Sequence, residues 1–89
     1  MTKFNEQGFA LNNDGTVNGY HTCELELKEN GTLEHLPTDV LKDALETANY
    51  LDFIADMCDD GGQRRAERNA NFKVKHPVLQ ELRARGVIS

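Results

Sequence analysis

Four carboxylates gather in the second half of the chain: Asp52, Asp56, Asp59 and Asp60. On a helix, this spacing places them within about one quadrant of the surface. Carboxylates so grouped suit three kinds of chemistry. They can act as acid and base if an apolar pocket raises one pKa. They can hold a divalent cation through oxygen ligands. They can also complement a basic protein surface. No partner base and no apolar surround accompany these four, so they read first as a solvated face; the sharper reading is the third, a face that meets a basic surface, ahead of a weak divalent-cation site.

A second cluster has the opposite sign. Arg64, Arg65, Arg68, Lys73 and Lys75 follow the acids directly, with Phe72 among them. Cations interleaved with an aromatic ring are the pattern of a nucleic-acid stripe. No helix-turn-helix spacing, zinc-finger spacing or aromatic RNA-binding signature is present. The acidic stretch beside the cluster also lowers the local potential on which phosphate binding depends. Direct nucleic-acid binding is therefore the alternative reading.

Cysteine and histidine chemistry is poorly supported. His21, Cys23, His35 and Cys58 show no CxxC or HxxxH spacing, so no metal site is expected. Cys23 continues the apolar positions Leu25 and Leu27 and reads as core rather than as a nucleophile. Gly61-Gly62 precedes no Lys-Ser or Lys-Thr pair, which removes a phosphate loop. Asn12, Asp14, Gly15 and Asn18 fall at EF-hand-like positions, but the first Asp and the bidentate Glu are missing. A turn is expected there instead. No catalytic residue, cofactor or metal is assigned, and the chain is expected not to be an enzyme.

These groups must be positioned by a small fold. The chain has 89 residues and a net charge of -5, enough for one domain with a modest core. Two Cys cannot make a disulfide framework. No apolar run is long enough to span a membrane, and Met1–Glu6 offers no apolar signal-like stretch. A cytoplasmic location is expected. Charge is strongly segregated. Residues 24–60 carry Lys28 and Lys42 against eleven acids, while residues 61–89 carry seven Lys and Arg against Glu67 and Glu81. Such polarity suits either internal pairing or a steering surface.

The expected class is α+β: an N-terminal three- to four-stranded antiparallel sheet over 1–36, packed by a long central helix and closed by a short C-terminal helix. Cys23-Glu24-Leu25-Glu26-Leu27-Lys28 alternates with period two, as a half-buried strand does. Asn30-Gly31 then suits a hairpin turn, and Asn13-Asp14-Gly15 suits another. The acidic helix is expected over 38–60, with Thr38 as N-cap, Asp39 near the positive end and Gly61-Gly62 as the stop. Val40, Leu41, Ala44, Ala48, Leu51, Ala55 and Cys58 form its core face. Residues 61–76 read as a basic connector, with Asn71–Lys75 extended. The short helix spans 77–86, started by Pro77 and stopped by Gly86.

Tyr50, Phe53 and Met57 occupy a separate stripe opposite the core face, which Asp43 and Glu46 extend toward the N-terminus. Either the C-terminal segment covers this stripe, or it is an exposed patch of the residue types enriched at interface cores. The leading functional expectation is a small acidic protein-binding module, an inhibitor or adaptor. Tyr50, Phe53 and Met57 anchor it, and Asp52, Asp56, Asp59 and Asp60 meet the basic surface of a partner protein, for instance one that itself binds nucleic acid. Such compact acidic chains are common among phage and mobile-element proteins, an impression of type that no motif carries. The further alternative is a structural or assembly protein that self-associates, as a homodimer, through the aromatic stripe.

Overall fold

In a computed structural model, which describes residues 3–88, the chain folds as three helices with a small N-terminal hairpin. Strands β1 (Lys3–Phe4) and β2 (Ala10–Leu11) pair antiparallel, and a single bridge joins Leu11 to Val17. Helices α1 (Gly19–Asn30), α2 (Thr38–Asp56) and α3 (Gly61–Ala84) follow. The expected α+β sheet of three or four strands is thus corrected to a mostly helical fold with a two-stranded sheet.

The largest departure is α1, over residues read as strand. Asn18 caps it, its side-chain oxygen accepting from the His21 N–H at 3.0 Å. Gly31 stops it in the left-handed conformation, φ 74°, with its N–H donating to the Leu27 carbonyl. Asn30-Gly31 does supply a positive φ, but as a helix terminus rather than a hairpin. The period-two pattern arises because α1 is covered on two sides. Cys23 and Leu27 face the helical core, while Leu25 shares a cavity wall with Phe4 and Phe9 of the hairpin segment. Thr22 locks the hairpin to α1: its hydroxyl accepts from the Ala10 N–H at 3.0 Å and donates to the Asn18 carbonyl at 2.7 Å. The turn at 12–16 forms as expected, with Asn12 N–H donating to the Thr16 carbonyl at 2.8 Å.

Helix α2 begins after Pro37, so Thr38 is its first residue and not its N-cap. Asp39 lies in the first turn, where the helix dipole favours it. Val40, Leu41, Ala44, Ala48 and Ala55 are buried. The helix ends at Asp56, short of the expected Asp60. Gly61-Gly62 opens the next helix instead of closing this one. The reason is Asp60, whose carboxylate accepts from the Gly62 and Gln63 N–H groups at 2.9 and 3.3 Å. First-turn N–H groups lack helical partners, so an N-cap carboxylate there outweighs the poor helix propensity of glycine.

The expected connector and short helix are one helix, α3. Asn71, Val74, Val78 and Leu82 form a buried stripe that runs straight through Pro77. A proline inside a helix costs about 3 kcal/mol. Burying Val74, Val78 and Leu82 contributes about 1.5–3 kcal/mol each and exceeds that cost. Gly86, φ 76°, closes the helix as expected, with Val87 N–H donating to the Leu82 carbonyl and Gly86 N–H to the Arg83 carbonyl.

The core lies where the helices meet. Cys23 of α1, Val40, Leu41 and Ala44 of α2, and Val74, Val78 and Leu82 of α3 pack together, closed at one end by Leu33 and Leu36 of the α1–α2 loop. Gly19 lets α1 approach α2 closely, because a Cβ there would collide with the Val40 carbonyl oxygen. Its N–H donates to Asp43 Oδ2 at 2.8 Å. Asp43 therefore sits at the positive end of α1.

Candidate partner-binding surfaces

Opposite its core face, α2 leaves an apolar stripe uncovered. Tyr50 is 62% exposed, Phe53 61% and Met57 68%. The C-terminal segment does not fold over them, since α3 packs on the flank that carries Asp52 and Asp56. Ile54, 39% exposed, widens the patch. Along the same line toward the N-terminus lie Asp39 and Glu46, both exposed and without ion pairs among the described residues. The stripe thus carries these two acids with the exposed Lys42 beside them over its first turns, and is apolar over its last.

The four aspartates do not form one face. Asp52 Oδ2 accepts from Lys75 Nζ at 2.7 Å, and Asp52 Oδ1 accepts from Asn71 Nδ2 at 2.8 Å. The Lys75 ammonium, followed by the Asn71 amide, holds the Asp52 carboxyl below its ordinary value. Asp56 pairs with Arg68. Asp60 caps α3. Asp59, also exposed, is the one of the four that makes neither an ion pair nor a side-chain hydrogen bond among the described residues.

The basic residues divide in the same way. Lys75 and Arg68 face the acids of α2. Arg64 Nη2 donates to the Cys58 carbonyl. Arg65 and Lys73 are exposed and form no ion pair among the described residues. The charge segregation of the sequence is therefore partly consumed by α2–α3 pairing.

An open groove of about 600 Å³ runs between these helices, lined by Arg68, Asn69, Phe72, Lys75 and Leu79 beside Asp52 and Asp56. Its two carboxylates are paired with cations of α3, Asp52 with Lys75 and Asp56 with Arg68. The Cys23 thiol is fully buried, and that burial, with Asp43 and Glu26 adding to it, pushes its pKa up to about 12. Desolvation and then the hydrogen bond to Glu67 raise the Cys58 thiol. Among the described residues no group of three or more His, Cys, Asp or Glu could hold a metal ion. Among the described residues no helix is long and apolar enough to cross a membrane.

Sequence reasoning missed Asn71, read as extended chain. It is 4% exposed, and its side chain links all three helices. It also missed Arg85, which donates to Glu81, Thr38 and the Leu33 and Glu34 carbonyls, clamping α3 to the start of α2. A periodicity of 3.6 through Asn71, Val74, Val78 and Leu82 is the signal that could have found the first.

The fold and surfaces define a three-helix protein with a capping hairpin and two charged, partly apolar outer faces. Comparison with protein-family models, curated proteins and solved structures finds no match for this chain.

Proposed function

We propose that this protein is a non-enzymatic binding module that docks a partner protein through the exposed face of α2. Tyr50, Phe53 and Met57 are the anchors, with Ile54 beside them. The observation that carries the reading is their exposure together along α2 and its C-cap Met57, because large aromatic and Met side chains left in water mark interaction sites. Asp39 and Glu46 continue the stripe, and Asp59 lies just beyond it. A partner with an apolar pocket rimmed by Lys and Arg fits this layout. The protein acts in the cytoplasm, as an inhibitor or adaptor, by covering a basic surface of that partner. Asp52 and Asp56 contribute less than their position in sequence suggests, because Lys75 and Arg68 already hold them.

The same charges weigh against a homodimer through this stripe. A second copy would set Glu46 and Asp59 against carboxylates of like sign, which is unfavourable at an interface.

The test pairs affinity capture from nuclease-treated lysate of the source organism or its host with light scattering. The wild type should retain one protein in near-equal amount. Tyr50→Ala/Phe53→Ala and Asp39→Lys/Glu46→Lys should lose it, and Arg65→Glu/Lys73→Glu should keep it. Retention by the α2 variants, or a dimer dissolved by Tyr50→Ala/Phe53→Ala, would overturn the reading.

A further inference from the structure

Helix α3 presents an outer face of opposite sign that the docking reading leaves unused. Arg65 and Arg83 lie 18 residues apart, which is five helical turns, so they share one line along roughly 27 Å of helix. Phe72 and His76 fall on that line between them, within about 20° of it. Phe72 is 58% exposed, and its ring stacks on that of His76, with centroids 5.0 Å apart and planes 24° apart. Lys73 lies to one side of the line, Arg68 and Lys75 to the other. Both carboxylates of α3 lie about 160° around the helix from this line. Glu67 accepts from the Gln63 side chain and the Cys58 thiol, and Glu81 holds Arg85. Arg65, Lys73 and Arg83 make no ion pair among the described residues.

We propose that α3 binds single-stranded nucleic acid along this line, with Phe72 and His76 as a stacking platform and Arg65, Lys73 and Arg83 on the phosphates. Cations spaced along one helix match a polymer of repeated negative charge. An exposed aromatic pair between them selects a strand whose base faces are open, which a duplex does not offer. Arg68 and Lys75, held in the groove by Asp56 and Asp52, wall the path on its α2 side.

Fluorescence anisotropy with a labelled oligo-thymidine strand, and with the same strand in a duplex, tests this. The strand should bind at low salt, with a log–log salt slope of about -2 for three phosphate contacts. Phe72→Ala should weaken it about tenfold while leaving the slope unchanged. Arg65→Glu/Arg83→Glu should abolish binding with the circular dichroism spectrum intact, as both side chains are exposed. Tyr50→Ala/Phe53→Ala should bind the strand as the wild type does, which separates this face from the α2 docking surface. No strand binding at low salt would overturn the proposal. So would duplex bound as tightly as strand with Phe72→Ala without effect, or poly-glutamate competing as well as unlabelled oligo-thymidine.

Discussion

The Tyr20 hydroxyl donates to Asn71 Oδ1 at 2.9 Å, joining α1 to α3 across 51 residues of sequence. The amide of the same Asn71 donates to the Ala48 carbonyl and to Asp52 Oδ1, both at 2.8 Å, so one buried side chain ties the three helices together. Desolvation of Tyr20, with Glu24 and Asp52 nearby, raises its pKa above the ordinary phenol value. Asn71→Leu should destabilise the protein by about 2–3 kcal/mol, since it strands polar groups on two other helices. Tyr20→Phe should cost about 1 kcal/mol. A urea-denaturation cycle on the two variants checks the coupling, and additive losses would show that the bond contributes nothing of its own.

Gly19 predicts a sign that helix propensity alone gets wrong. Alanine for glycine within a helix ordinarily gains about 0.5–1 kcal/mol. Here the added Cβ would strike the Val40 carbonyl and lie 2.9 Å from Asp43 Oδ2. Gly19→Ala should therefore destabilise by about 1–3 kcal/mol, read as a fall in the thermal midpoint. A rise in the midpoint would mean that α1 and α2 separate at little cost.

The Asp52–Lys75 pair predicts an acid dependence. Asp52 has a lowered folded pKa, so its contribution is present above its unfolded value, near 3.8, and is lost as pH falls through the folded value. Unfolding free energy measured from pH 6 down to pH 2 should decline more steeply below about pH 4 in the wild type than in Lys75→Met. Parallel curves would show that Lys75 does not set the Asp52 titration.

The two thiols should react very differently. Cys23 is buried with its pKa near 12 and should stay silent to a thiol reagent at pH 8 until the protein unfolds. Cys58, partly exposed, should react in the native state, though slower than a free thiol because desolvation and Glu67 raise its pKa. Two thiols titrating at once without denaturant would show that α1 opens readily.

Much of α2 was legible in sequence because its core face repeats with a clean helical period from Val40 to Ala55. The Gly86 stop was legible too, since a glycine after a basic last turn has one common use. Two other signals were ambiguous in kind. Asn30-Gly31 supplies a positive φ to a hairpin or to a helix end. Cys23–Lys28 alternates whether one face of a strand is buried or two faces of a helix are covered. Gly61-Gly62 and Pro77 misled for a further reason: each is locally unfavourable in a helix, and each is overridden by something distant in sequence or in space.

The amino-acid sequence by itself determined the charge segregation, the α2 core face, the stripe of Tyr50, Phe53 and Met57, and the turn or stop at Gly15, Gly31 and Gly86, where φ is positive. These are properties of composition and of single elements. Only the tertiary structure decided that α1 is a helix, that α3 runs unbroken through Pro77, and that Asp52 and Asp56 face Lys75 and Arg68 rather than a partner. Each of those outcomes depends on which apolar surface is available to cover which side chain. Burial energies of several kcal/mol per helix outweigh local preferences of about 1–3 kcal/mol, and that burial exists only once the three helices meet.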